Sequence, residues 1–312
     1  MFMKPTNFAK YLTDFLTIYL SGQKNSSKNT IHSYRDTFKL LLKYCKEEKA
    51  LAIERISMDV LTAELIIDFL NWLECERKSS IPTRNQRLAS IHSFFRYIQG
   101  EYPVGIYYFQ RVMSIPVKKA TKTVVGHLSP DIMKLILEQP NKHSAKGRRD
   151  LTLLSILYDT GARVQELIDI KVCDVILETP SVVVLTGKGN KVRRVPLMKN
   201  AVNMLRSYLS ENDLNKQWKN QYPLFENNQH NKLTKEGVSY ILNKYIKTAR
   251  QKSIRVPEHA CPHIFRHSKA MHLLQAGVNL IYIRDFLGHV DIKTTEVYAR
   301  VLHILLLCGI SS

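Results

Sequence analysis

Residues 172–197 read VCDVILETPSVVVLTGKGNKVRRVPL, and this stretch decides the fold. Three short runs rich in β-branched residues, VCDVIL, SVVVLTG and KVRRVPL, are separated by turn-forming residues. That pattern predicts strands rather than helix. The spacing gives a small three-stranded antiparallel sheet, with Lys188-Gly189-Asn190 in a hairpin turn. On either side the period returns to that of a helix. The sheet is therefore an insertion in a helical protein, and the expected class is mainly α (α+β).

N-terminal to the sheet, Ser129 is suited to cap a helix, Pro130 to occupy its first position and Pro140 to follow its end. A second helix is predicted over about 148–159 and a third from near Arg163. Further back, Ile31, Tyr34, Phe38, Leu41, Leu42 and Cys45 recur at helical spacing. Leu61, Leu65, Phe69, Leu70 and Leu73 form a second such stripe. Leu88, Ile91, Phe94, Phe95 and Ile98 form a third, flanked by Arg84, Arg87 and Arg96. Between Arg111 and His127 the period lapses around Pro116 and several lysines, as in an inter-domain linker. The expected organisation is a helical domain over 1–111, a linker over 112–127 and a mixed domain over 128–312. After Pro196 helices resume.

Among the totals, charge is the informative one. The chain has 312 residues with 46 Lys and Arg against 27 Asp and Glu, a net charge of +19. Residues 117–312 hold 30 basic and 16 acidic side chains, against 16 and 11 in residues 1–116. A polyanionic partner is implied, with nucleic acid the default. The five cysteines are odd in number and show no C-x-x-C pair, which argues for reduced thiols in a cytosol. There is no signal-peptide pattern, and the longest apolar run, around Ile304–Cys308, is too short to span a bilayer.

The segment HIFRH, residues 263–267, places His263, Arg266 and His267 on one helical face. Zinc chemistry of the metalloprotease kind needs a glutamate after the first histidine, and Ile264 stands there. Packing in a core accounts for His267 but not for Arg266. An anion accounts for more. With Pro262 in the first helical position, His263 lies in the first turn, where unpaired N–H groups and the helix dipole favour a phosphate. Arg266 can then fork onto two phosphate oxygens. Arg163 after Gly161, with Glu166 one turn on, offers a second guanidinium. Lys188, Lys191, Arg193 and Arg194 crowd the hairpin without an acid. Tyr298 carries a phenol, a poor nucleophile unless its proton is taken and the phosphate neutralised.

Taken in order, G-A-R-x-x-E-L at 161–167, G-K-G at 187–189, H-x-x-R-H at 263–267, L-G-H at 287–289 and T-T-x-x-Y at 294–298 resemble the tyrosine recombinase (phage integrase) family, of the Xer-like or transposon-integrase type. The N-terminal helices resemble that family's SAM-like core-binding domain. The resemblance implies that Arg163 and Arg266 bind the scissile phosphate and that Lys188, with Lys191 in reserve, protonates the leaving 5′ oxygen. By the same resemblance His263 acts on the nucleophile's proton, His289 hydrogen-bonds the phosphate, Tyr298 is the nucleophile and Glu166 supports the site. Arg84, Arg87, Lys191, Arg193 and Arg194 are expected DNA contacts. The implied partners are double-stranded DNA and further copies of the chain, in a tetramer, in the cytoplasm. Neither a metal nor any other cofactor is expected. Relaxation of DNA in the manner of a type IB topoisomerase and DNA binding by a catalytically dead homologue are the alternatives. The uncharged end VLHILLLCGISS is expected to dock on a neighbouring protomer or on its own domain, or to be an altered terminus.

Overall fold

The computed structural model describes residues 6–102, 105–120, 126–289, 295–296 and 298–299, apart from the Lys188 side chain. The chain divides into two compact units, Met1–Lys122 and Thr123–Ser312. Among the described residues no helix is long and apolar enough to cross a membrane.

In the first unit α1 (Asn7–Asp14) runs on into a π-helical stretch, Phe15–Gln23, and is followed by α2 (Lys28–Glu47), α3 (Ala63–Cys75), α4 (Ile81–Glu101) and α5 (Ile106–Met113). Thr6, Ser27, Thr62 and Ser80 cap the first four helices, each accepting a backbone N–H. The apolar stripes of α2, α3 and α4 meet in one core. Its centre is aromatic: Phe15, Phe38 and Phe94 pack edge to face, with Phe8 edge-on to Phe94.

Two arginines expected to face DNA are committed inside this unit. Arg84 is buried, 3.4 Å from Glu74, and donates to the carbonyl of Pro116. Arg87 donates to the Ser33 carbonyl and to Thr37 Oγ1, joining α4 to α2. Both lie on the inward side of α4, because the buried stripe is wider than its apolar residues alone suggest. The stretch read as a linker also begins inside the unit. Val112 and Ile115 are buried, and Asn85 pairs with both backbone groups of Lys118. Lys118 itself is paired with Glu74 at 2.7 Å. No apolar period betrays this segment, since side chains of α4 hold its backbone by hydrogen bonds.

The second unit contains α6 (Pro130–Leu137), α7 (Ala145–Thr160), α8 (Val164–Asp169), then β1 (Val175–Ile176), β2 (Val182–Thr186) and β3 (Val192–Pro196), then α9 (Lys199–Glu211), α10 (Lys235–Arg250), α11 (His263–Gln275) and α12 (Leu280–Leu287). The sheet has the order β1-β2-β3 with antiparallel pairing throughout, Val175 opposite Val183 and Val183 opposite Val195. Val183, Leu185 and Val195 turn into the core, which fixes the register. Gly189 takes a left-handed conformation in the hairpin, at φ 75°. The helix α7 is buried on nearly every face, with Leu153, Leu154, Ile156 and Leu157 at 0% exposure, and so forms the axis of this unit. At its N-terminal end the buried Asp150 is neutralised by Arg149 and accepts from Tyr245. At its C-terminal end it reaches the site. The chain after residue 299, including the expected docking tail, lies outside the described residues.

Candidate active site

Three element ends meet at the C-terminus of α7. Gly161 ends that helix in a left-handed conformation, φ 57°, which an L side chain resists. The chain then turns and restarts as α8. Glu166, in the first turn of α8, accepts the backbone N–H of Arg163 at 2.9 Å and its Nη1 at 2.7 Å. This reach back to the N-cap fixes both the helix start and the arginine.

Arg266 enters from α11. It is 2% exposed, and its Nη1 donates to the Gly161 carbonyl at 2.7 Å while Nη2 donates to the Leu287 carbonyl. It stands 4.0 Å from Glu166. Burial, and then the nearby charge of Arg163, pull its pKa down to about 9, which leaves it cationic at neutral pH. Burial pushes the Glu166 carboxyl upward, but the hydrogen bonds from Arg193 and Arg163 outweigh it and hold the group at about 2. One carboxylate thus serves three guanidinium groups and keeps the local balance positive.

The opposite face of α11 is equally fixed. Leu128 N–H donates to Ser268 Oγ at 2.8 Å, the Leu128 carbonyl accepts from His272 Nε2 at 2.8 Å, and Tyr158 Oη donates to His272 Nδ1 at 2.7 Å. Anchored in this way to α7 and to the chain before α6, α11 presents His263, Arg266 and His267 as one rigid row.

Tyr298 is buried, at 3% exposure, with Met271, Ile283 and Leu287 around it. Its hydroxyl lies 2.7 Å from His267 Nδ1. Burial, then the charges of His263 and Arg266, hold His267 at about 4. The imidazole is therefore neutral at pH 7, and the phenol O–H donates to its lone pair. Burial raises the pKa of Tyr298, and the Arg266 and Arg163 charges work against that rise. His289 follows the left-handed Gly288 that ends α12, lies near-parallel to the Tyr298 ring with centroids 6.5 Å apart, and pairs through Nδ1 with Thr295 at 2.9 Å. It too is held at about 4, by burial and then by Arg266 and Arg163. His263 is exposed in the first turn of α11, its ring centre 6.3 Å from that of His267. Partial burial and then Arg266 and Arg163 lower its pKa.

Arg163, Gly187, Lys191, Val192, Arg193, Gly288 and His289 line an open pocket of about 280 Å³ beside this cluster. Lys191 and Arg194 are exposed on the hairpin, whereas the side chain of Arg193 is 12% exposed and bonded to Glu166 and to the Phe286 carbonyl. The Lys188 side chain lies outside the described residues. The sequence thus brings Arg163, Glu166, Arg266, His289 and Tyr298 together in one unit. It also brings in His267, to which sequence reasoning assigned no role because core packing was enough to account for it. The signal was present, since His267 shares a helical face with His263, but only the fold supplies Tyr298 opposite it.

Fold and site together define a mainly helical protein with a three-arginine, three-histidine cluster around a buried phenol. Residues 127–303 match the phage integrase family, and residues 12–101 match the phage integrase N-terminal SAM-like domain. The chain is 36% identical over 296 residues to y4rC of Sinorhizobium fredii, named an integrase/recombinase, covering 95% of this chain and 88% of that one. It is 31% identical over 293 residues to the tyrosine recombinase XerD of Listeria innocua, covering 93% of each. Among solved structures, XerH recombinase bound to difH substrate aligns with a TM-score of 0.72 at 21% identity, over 92% of this chain and 81% of that one. The Tn1549 transposon integrase in complex with transposon right end DNA aligns with a TM-score of 0.71 at 16% identity, over 92% of each. The chain belongs to the phage integrase family of site-specific tyrosine recombinases.

Proposed function

We propose that this protein cuts and rejoins double-stranded DNA at specific sites, with Tyr298 as nucleophile. The phenol oxygen attacks the scissile phosphorus, a 3′-phosphotyrosine bond forms and the 5′ oxygen leaves. A 5′ hydroxyl of a partner strand then attacks the phosphotyrosine, restoring the DNA backbone and the phenol. One phosphodiester is exchanged for another, so the step is close to isoenergetic and needs no ATP.

In this reading Arg163 and Arg266 offset the charge that builds on the non-bridging oxygens. His289 hydrogen-bonds the same phosphate. His263, the residue that the family resemblance assigns to the phenol proton, acts once the phenol has left its hydrogen bond to His267, and Lys188, or Lys191 in its place, delivers a proton to the 5′ oxygen. Glu166 keeps Arg163 oriented, and Lys191 and Arg194 contact the DNA backbone. Strand exchange between two duplexes calls for four copies of the chain, acting on DNA in the cytoplasm.

The observation that carries the proposal is the convergence of Arg163 and Arg266 on Glu166, with Tyr298 in the same unit between two imidazoles. The test is incubation with nicked duplexes carrying candidate sites that flank the gene. A covalent protein–DNA product mapped to Tyr298 is expected, and Tyr298→Phe should abolish it while DNA binding persists. A product that survives Tyr298→Phe, or none from the unaltered protein, defeats the proposal.

A further inference from the structure

We infer that Arg193 is a positioning residue that holds the catalytic arginines in register and does not contact DNA. The inference rests on the recombinase reading of the site. Strand alternation sets the direction of this side chain. Arg193 shares the inward face of β3 with buried Val195, while Arg194 takes the exposed face.

Three of the five N–H groups of Arg193 are used within the protein, and the side chain is 12% exposed. Nη2 donates to Glu166 Oε2 at 2.7 Å and Nη1 to Oε1 at 3.1 Å, a forked pair, and Nε donates to the Phe286 carbonyl at 3.0 Å. One side chain therefore ties β3 to the start of α8 and to the end of α12. Those segments carry Arg163 and His289, and the hairpin that precedes β3 carries Lys188.

Two glycines of the motifs are explained by the same pair. A Cβ on Gly288 would stand 3.0 Å from Arg193 Nη1 and 3.1 Å from its Cδ, and a Cβ on Gly187 would stand 2.9 Å from Glu166 Oε1. A side chain at Gly187 would press on the Glu166 carboxylate, and one at Gly288 would crowd Arg193 besides straining the left-handed backbone there, φ 64°.

The charge logic agrees. With Arg163 at 2.7 Å and Arg266 at 4.0 Å from Glu166, the Arg193 charge balances the carboxylate and leaves the other two cations uncompensated at the edge of the pocket.

The full-length protein, Arg193→Gln and Arg193→Lys are to be compared in two assays. In the first, binding to a 30-base-pair duplex of arbitrary sequence is followed against salt concentration. A positioning residue leaves affinity and slope as in the unaltered protein, whereas a phosphate contact lowers the slope by about 1. In the second, single-turnover adduct formation is followed on the nicked duplexes described above. Arg193→Gln is expected to lower the rate at saturating DNA about 100-fold, with the half-saturating DNA concentration unchanged. Arg193→Lys, which keeps the charge and loses the fork, is expected to fall between the two and carries the test if Arg193→Gln does not fold. A reduced salt slope, or an undiminished saturating rate in both variants, overturns the positioning role alone. No adduct from the unaltered protein removes the recombinase reading, and this role with it.

Discussion

His267 and His289 flank the Tyr298 ring, and burial holds both at about 4 instead of the ordinary 6.5. His92, His127 and His272 are lowered as well, each by burial first. A base whose folded value lies below its unfolded one takes up fewer protons when folded. Its contribution to stability is complete above about 6.5 and is lost as pH falls towards about 4. Glu166 adds the same sign lower down, since its stabilisation is present above 4.5 and is lost as pH falls towards about 2. Urea unfolding followed between pH 7.5 and pH 5 should show stability falling with pH, and His289→Asn should flatten part of that slope. A stability that is level or rising towards pH 5 would contradict the burial of these rings. At neutral pH the unprotonated His267 remains able to accept from the Tyr298 hydroxyl, so the hydrogen bond at 2.7 Å is not itself pH-gated in that range.

At the scale of elements, the junction of α7 and α8 governs the site. Gly161 takes φ 57°, its carbonyl accepts from Arg266, and a Cβ there would stand 3.0 Å from Leu287 Cδ2. Gly161→Ala is expected to cost about 1–2 kcal/mol from the left-handed backbone alone. Urea denaturation should register that loss. Adduct formation should slow as well, because the same carbonyl orients Arg266. An unchanged midpoint would mean that the turn is not constrained as described. Most elements around this junction were legible beforehand. Ser129 and Pro130 announced α6, and the period change at Val172 announced the sheet, because caps and alternation are local properties of a few neighbouring residues. The run from Pro116 to Lys118 was not legible, since hydrogen bonds from the side chains of Arg84 and Asn85 hold it, 32 and 33 positions away in the chain.

The whole molecule consists of two units with separate hydrophobic cores, one centred on Phe38 and Phe94 and the other on α7. Each core is formed from residues of its own unit. Residues 1–122 and 123–312, produced separately, should each unfold in a single cooperative urea transition. Failure of either to fold would show that its core is incomplete alone. The residues of the second unit also hold most of the chain's positive excess, in keeping with a phosphate-binding site built there.

What the sequence determined by itself was the inventory and its order: helices, the inserted hairpin, and the arginines, histidines and tyrosine in a sequence of motifs that resembles one family. Those features are local, fixed by period, capping and spacing. What only the tertiary structure decided was the direction in which each cation faces and which partner it finds. Arg84, Arg87 and Arg193 read as surface charge, yet each is turned inward to an acceptor from another segment. Core packing was enough to account for His267 in the sequence, yet it meets the Tyr298 hydroxyl across 31 positions of chain. A charge in a one-dimensional pattern carries no record of its counter-charge. The pairing exists only once packing has brought distant segments within hydrogen-bonding distance and removed the water that would otherwise solvate both.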